Sequence, residues 1–227
     1  MGVREPQQDR GHARRASVLE GAARVFDDVG FGQSTLKQIT EASGATIGSV
    51  YFYFPAKDDM ALAIVDEQNS RTFAAMSAAA EGFHGIEAVI RASRAVADAL
   101  LTDVIVRAGI RLSLEQGTLA TPTGQFYRAW IEALAGPVRE AADSGELRTG
   151  LEPAALARAM VSWFTGVQLV SSVLSGRADL YQALGETLDV VLTGLAAPEH
   201  LERLQAVARE LFARRQPGGT GHRAASR

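Results

Sequence analysis

The segment from residue 13 to residue 57 constrains the fold most, because three short helical patterns follow one another there with a glycine at each of two breaks. Val18, Ala22, Val25, Phe26 and Val29 recur at helical spacing, so a helix over about 13 to 29 has one apolar face, and Gly30 stands where a left-handed C-cap would end it. Thr35 and Gln38 form a capping-box pair, and Leu36, Ile39 and Ala42 are the inward positions of a short second helix. Ser43-Gly44-Ala45 makes the turn. Thr46 caps a third helix whose Val50 and Phe54 point inward, leaving Thr46, Ile47, Ser49, Tyr51 and Tyr53 on the outside. Pro55 suits the first turn of a fourth helix, and Asp58 and Asp59 favour its positive end.

A third helix with that outer face matches the recognition helix of a helix-turn-helix, laid in a DNA groove. Gly48 then lets the backbone come close to DNA, and Lys37 and Lys57 are placed for phosphates. Three short helices of an ordinary bundle, with tyrosines packing at the surface, would satisfy the same local pattern. The whole string is more specific. Phe26-x3-Gly30-Phe31, Thr35-x3-Ile39, Gly44 and Tyr51-x-Tyr53-Phe54-x2-Lys57 together resemble the N-terminal domain of TetR-family transcriptional repressors, in order and in spacing over residues 13 to 60. That resemblance implies an all-α chain, a helix-turn-helix DNA-binding domain followed by a larger helical domain for ligand binding and dimerisation, and a homodimer.

Composition fits this reading and excludes others. The chain has 227 residues, 47% of them hydrophobic, enough for a small DNA-binding unit and one sizeable helical core. Without cysteine there is no disulfide, thiolate zinc site or cysteine nucleophile, and His12, His84, His200 and His222 lack ligand spacing. No paired base and nucleophile and no phosphate-cradling glycine loop is found, so neither an enzyme nor a resident cofactor or metal is expected. No signal peptide or membrane-spanning run is read, and a cytoplasmic location is expected.

Net charge is −3, and its distribution matters more than its sum. Residues 1 to 57 hold seven Lys and Arg against six Asp and Glu, whereas residues 58 to 227 hold 16 against 20. Both lysines of the chain, Lys37 and Lys57, lie in the first part. Arg4, Arg10, Arg14 and Arg15 form a basic approach that either adds phosphate contacts or is a solvated arm. The domains are drawn at 1 to 57, 58 to 213 and 214 to 227. The last, from Arg214-Arg215 onward, has no acidic residue and is read as a disordered tail.

Past residue 58 the periodicity predicts helices over about 56 to 80, 85 to 101, 103 to 116, 123 to 144, 152 to 175, 178 to 196 and 198 to 215. Residues 117 to 124, with Thr121-Pro122-Thr123, form the longest predicted loop, and the fourth helix is the natural coupling rod between domains. Leu169, Val173, Leu180, Leu184, Leu188, Val191 and Leu195 supply apolar faces that either make a four-helix dimer seam or close the chain's own core.

A narrower resemblance rests on Val104-Ile-Val-Arg107-Ala-Gly109-Ile-Arg111-Leu112, on Trp130 in Phe126-Tyr-Arg-Ala-Trp130, and on overall length. The chain resembles the γ-butyrolactone receptor branch of the TetR repressors. The resemblance implies a pocket for a small lactone or furan-type signal with an alkyl tail. Trp130 would pack on the ligand ring, and Gln68 and Thr165 would be polar partners. Phe126 and Trp163, with Phe73 and Phe164, are further wall candidates, although buried aromatics at helical spacing also serve as plain core. Two positions depart from the branch, which commonly has Lys where this chain has Ile47 and His where it has Tyr53. Isoleucine offers a groove only apolar contact, such as with a thymine methyl. The expected activity is repression at a pseudopalindromic operator relieved by a diffusible signal. The alternatives are a pseudo-receptor answering to an antibiotic and a ligand-sequestering protein without DNA binding.

Overall fold

A computed structural model of the chain describes residues 5 to 115 and 124 to 213. Arg4, most of the predicted 117 to 124 loop and the 214 to 227 tail lie outside the described residues. Among those described there are ten helices. They are α1 (Glu5–Gln33), α2 (Leu36–Ser43), α3 (Ile47–Tyr53), α4 (Lys57–Ala80), α5 (Gly85–Thr102), α6 (Val104–Leu114), α7 (Gly124–Asp143), α8 (Pro153–Ser175), α9 (Leu180–Leu195) and α10 (Pro198–Phe212). The only extended pairing among the described residues is an isolated bridge between Leu147 and Ala196.

Local chemistry accounts for the short helices. Thr35 N–H donates to the Gln38 side chain at 2.8 Å, and Gln38 N–H returns to Thr35 Oγ1 at 3.3 Å, closing the capping box of α2. Gly44 ends that helix in the left-handed region, at φ 62° and ψ 19°. Thr46 Oγ1 then accepts from Ser49 N–H at 3.2 Å and starts α3, a cap of the kind that contributes about 1 kcal/mol. Gly30 does break α1, but differently from expectation. Its φ is 81° while its ψ is 166°, so the chain turns outward into a glycine-favoured extended conformation rather than a left-handed cap. The helix also begins earlier than predicted, at Glu5.

Two apolar clusters organise the packing. The first joins Val18, Ala22, Phe26, Ile39, Val50 and Phe54 to Met60, Ile64 and Val65 of α4 and to Ile105, Ala108 and Leu112 of α6. A boundary at residue 57 therefore falls inside this cluster rather than between two bodies. The second is built on α5 and α7 to α10, with Ile90, Leu100, Val138, Leu180, Leu184 and Leu192 fully or almost fully buried. Of the seven proposed seam residues, Leu180, Leu184 and Leu188 are buried in this chain's own core and Leu195 packs against it. Leu169 and Val173 point out instead, joined by Val170, Leu174 and Val190.

Helices α4 and α6 meet at Gly109, where a Cβ would fall 2.4 Å from Gln68 Cβ and 3.2 Å from the Ile64 carbonyl oxygen. This near-contact of backbones explains why a glycine sits inside a helix. Gly109→Ala should lower unfolding free energy by about 1 to 3 kcal/mol, because overpacking a close helix crossing forces the backbones apart. Urea denaturation followed by circular dichroism measures it.

Candidate nucleic-acid interface and ligand cavity

The outer face of α3 is open. Thr46, Ile47, Gly48 and Tyr51 are exposed, Ser49 and Tyr53 are half-buried, and Val50 and Phe54 anchor the helix beneath. Beyond the backbone of its own helix and its chain neighbours, no atom of the described residues lies within 4 Å of a Cβ built on Gly48, so internal packing does not demand glycine there. Sequence reasoning missed Phe52, which is 79% exposed and stands edge-on to Tyr53 with ring centroids 5.1 Å apart. Its signal was available: an aromatic in a short helix whose inward positions were already taken by Val50 and Phe54.

Two lysines behave differently. Lys37 is exposed and only loosely paired with Glu41 at 3.9 Å. Lys57 donates to the carbonyl oxygens of Phe31 at 2.7 Å and Ser34 at 3.1 Å, and its ammonium lies 4.3 Å from the Phe31 ring centroid. With its charge committed to the α1–α2 turn, Lys57 is a staple between that turn and α4, which revises its reading as a free phosphate ligand. Arg14 likewise reaches the Gly44 carbonyl at 3.4 Å, and Arg15 lies over the Phe54 ring.

On its far side the end of α1 is gripped by α6. Arg107 Nε donates to Asp27 Oδ2 at 2.8 Å, and Arg111 Nη1 donates to the carbonyls of Asp27 at 2.5 Å and Asp28 at 3.3 Å. Glu115 accepts from Phe31 N–H at 3.4 Å and from Arg111 Nε at 3.2 Å. The exposed carbonyls at a helix C-terminus carry partial negative charge, so guanidinium groups suit this end. Arg177, in the turn between α8 and α9, has φ 69°, unusual for a residue with a side chain. Burial lowers its pKa, opposed by the charge of Asp27 and reinforced by Arg107 and Arg111. The helical run from Val104 to Leu112 announced these arginines but not their partner, since Asp27 is 80 residues away in sequence.

Between α4, α5, α7, α8 and α9 lies an apolar cavity of about 50 Å³, walled by Met76, Ile90, Trp130, Trp163, Phe164 and Leu192 among others. Of the residues proposed from sequence, Trp130, Trp163 and Phe164 line it. Gln68, Phe126 and Thr165 do not. Gln68 is buried at the α4–α6 crossing and donates to Thr72 Oγ1 at 3.1 Å. Phe126 packs against the first cluster. Thr165 donates to the Val161 carbonyl at 2.8 Å and bonds the Tyr127 hydroxyl, which also bonds Ser113, while burial pushes the Tyr127 pKa up. Helical spacing located these residues near the centre of the bundle without giving the rotation of each helix.

The cavity touches α4 through one polar bond. Trp130 Nε1 donates to Asn69 Oδ1 at 3.0 Å, while Asn69 Nδ2 donates to the Val65 carbonyl at 2.9 Å within α4. Asn69 was not singled out from sequence, because an asparagine in an amphipathic helix carries no mark of burial. The Trp163 indole N–H is also buried and has no hydrogen-bond partner among the described residues. No group of three His, Asp or Glu residues suited to a metal occurs among the described residues, and none of the described helices is long and apolar enough to cross a membrane.

Two family models match the chain: bacterial regulatory proteins of the tetR family over residues 18–64, and the tetracyclin repressor-like C-terminal domain over residues 83–197. The A-factor receptor protein of Streptomyces griseus is 34% identical over 182 residues, covering 80% of this chain and 63% of that protein, so the chain spans less than two thirds of this relative. A solved structure concerned with the molecular basis for control of antibiotic production by bacterial hormones is 35% identical, with a TM-score of 0.73 over 81% of this chain and 97% of that one. The TetR family protein CprB from Streptomyces coelicolor, solved with its biological operator sequence, is 25% identical with a TM-score of 0.77 over 89% of this chain and 98% of that one.

The grip on α1 should be measurable as coupling. In a double-mutant cycle of Asp27→Asn and Arg107→Gln, thermal or urea unfolding is expected to give an interaction energy of about 1 to 2 kcal/mol. The exposed Lys37–Glu41 pair should give roughly 0 to 0.5 kcal/mol in the same cycle.

Proposed function

The chain belongs to the TetR family of bacterial regulatory proteins, and on that footing we propose that it represses transcription from an operator and is released by a small apolar signal. The observation that carries this reading is the mechanical line from cavity to recognition surface: Trp130 in the cavity wall is bonded to Asn69 of α4, and α4 is packed on α6 and stapled by Lys57 to the turn ahead of α2.

Thr46, Ile47, Gly48, Ser49, Tyr51, Phe52 and Tyr53 are the proposed groove-facing set, with Lys37 toward phosphate. Ile47 and Phe52 make it more apolar than a typical DNA-reading face, which suits thymine methyl groups rather than guanine. A helix of seven residues spans too few base pairs to be selective, so two copies are required. The outward apolar residues Leu169, Val170, Val173, Leu174 and Val190 supply the proposed contact with a second chain. Two recognition helices related by a twofold axis read a pseudopalindrome, with half-sites about one helical turn apart.

The signal is proposed to be a γ-butyrolactone or related lactone or furan, of the kind that serves secondary metabolism. An almost wholly apolar wall favours a hydrocarbon-rich molecule. The unpartnered Trp163 N–H favours one that carries an acceptor, because leaving such a donor buried and unmet costs about 1 to 3 kcal/mol. A ring settling on Trp130 would turn the indole away from Asn69, free α4 to shift, and change the separation of the two recognition helices. A coupling of about 1 to 3 kcal/mol per site weakens operator binding about 5- to 150-fold, enough for release. The apolar Ile47 also gives weight to a second reading, a sequestering protein that holds the signal without binding DNA.

A gel shift on DNA from the gene's own upstream region, with and without synthetic lactone or culture extract, tests the proposal. Binding that is lost on addition supports it, and absence of binding to any genomic fragment at physiological salt favours the sequestering reading. Tyr51→Ala is expected to weaken operator binding at least about tenfold with ligand affinity unchanged, the loss of about 1.4 kcal/mol or more from one groove contact. Asn69→Leu should leave both DNA and ligand binding but lower the ratio of operator affinities without and with ligand toward one. Full induction of the Asn69 variant would remove it from the pathway.

A further inference from the structure

Three side chains of α1 close the end of α2. Arg24 Nη1 donates to the Ala42 carbonyl at 3.3 Å, Ser17 Oγ to the Ser43 carbonyl at 3.0 Å and Arg14 Nη2 to the Gly44 carbonyl at 3.4 Å. These are consecutive residues at a helix C-terminus, where carbonyls lack intrahelical partners and carry partial negative charge. The two helices come close beside the Ser17 bond: a Cβ built on Gly21, one turn on from Ser17, would fall 2.5 Å from Ser43 Cβ. The three donors therefore hold α2, and the turn into α3, against α1 with no space to spare.

Ser17 also ends a run that neither the recognition face nor the cavity accounts for. Arg14-Arg15-Ala16-Ser17-Val18 sets two guanidinium groups two and three residues ahead of a hydroxyl, with an apolar residue after it. Arginine-directed serine/threonine kinases read this pattern, pairing carboxylates of their cleft with the arginines while the serine is presented to ATP. The other pair of adjacent arginines, Arg214-Arg215, is followed by Gln-Pro-Gly-Gly and presents no hydroxyl there. His12 to Ala16 are all exposed, Ser17 is half-buried, and burial begins at Val18. Outside their own helix, residues 12 to 16 are tied among the described residues by Arg14 to Gly44 and by Arg15 over the Phe54 ring. Unwinding this end of α1 as far as Val18 draws one apolar side chain from the core, and helix ends open at far smaller free energies than cores do. Ser17 thus comes within reach of an enzyme without unfolding of the whole chain.

We propose that Ser17 is a phosphorylation site, taking the γ-phosphoryl group of ATP from an arginine-directed protein kinase, and that the phosphate loosens α2 from α1 and lowers operator affinity without the small signal. In the transfer, Ser17 Oγ bonds to the γ-phosphorus, the bond from that phosphorus to the ADP oxygen breaks, and the hydroxyl proton passes to the catalytic carboxylate of the kinase. Phosphoserine has no serine hydroxyl hydrogen for the Ser43 carbonyl, and it brings a charge of about −1.5 to −2 to a helix C-terminus, the end that repels it. The close approach at Gly21 and Ser43 leaves no room for the added atoms. Arg14, one turn before Ser17 on the same helix face, exchanges the Gly44 carbonyl for the phosphate, because a bond between two charged groups is the stronger one. Two of the three ties are then gone. The effect on α2 stands by itself, whereas the effect on DNA rests on the reading of α3 as the recognition helix.

The full-length protein is incubated with magnesium-ATP and the catalytic subunit of cAMP-dependent protein kinase as the arginine-directed probe, and the product is mapped by mass spectrometry. One phosphoryl group at Ser17 is expected. Amides of α2 and its turn, residues 36 to 46, should exchange hydrogen at least about tenfold faster in the phosphoprotein, and operator binding in a gel shift should weaken at least about tenfold, both from the loss of two hydrogen bonds. Kinase-treated Ser17→Ala should change each by less than about fivefold, since it lacks one neutral bond. Phosphatase treatment should restore exchange and binding, which separates the switch from damage to the fold. Absence of phosphate from Ser17, including its appearance only at Ser226 after Arg223-Ala-Ala, would overturn the proposal. So would phosphate at Ser17 with α2 exchange unchanged, or with operator affinity unchanged in a protein that binds its operator. Faster α2 exchange in a protein whose unmodified form binds no operator keeps the site and removes the repressor reading.

Discussion

The grip of α6 on the end of α1 is the interaction on which the rest of the architecture depends. Without it, the first three helices would be tied to the bundle by the apolar cluster they share with α4 and α6 and by Lys57. Arg107 and Arg111 meet a helix C-terminus whose carbonyls have no intrahelical partner, so the same bonds that satisfy α1 also fix its direction relative to α6. Lys57 does the equivalent from α4, on the other side of Gly30. Arg71 joins α4 to Asp103 at the start of α6 at 2.9 Å. The end of α1, α4 and α6 are therefore held together as a triangle.

The places where this protein breaks local rules cluster around that triangle and the cavity. Buried side-chain atoms without partners among the described residues are Trp163 Nε1, Gln168 Oε1 and Arg177 Nε. Each forgoes a hydrogen bond that a stability-optimised core would supply. Trp163 stands in the cavity wall, and Arg177 lies in the α8–α9 turn, where the charges of Asp27, Arg107 and Arg111 act on it. The cavity likewise forgoes dispersion contacts that a filled core would gain. Elsewhere the packing is conventional: the N-terminal helix start of α5 is held by Glu146 accepting from Ile86 N–H at 2.7 Å, and Arg203 pairs with that same carboxylate.

What the amino-acid order determined by itself is local. Thr35 with Gln38, Gly44, Thr46 and the inward pair Val50 and Phe54 specify where short helices begin, end and turn, because caps and left-handed glycines act over three or four residues and need no distant partner. Helix extents in the second half were legible for the same reason, since a 3.6-residue period declares itself within one helix. Tertiary structure decided whatever depends on which helix lies opposite which. Lys57 was legible as a cation but became a staple because two carbonyls from the α1–α2 turn came within reach. Gln68 was legible as polar but was consumed by the α4–α6 crossing at Gly109. Asn69 and Asp27 gave no sequence signal at all. Their roles come from side chains 61 to 80 residues apart brought within 3 Å, and the rotation of one helix against another is set by the summed packing of the whole bundle, which no window of sequence contains.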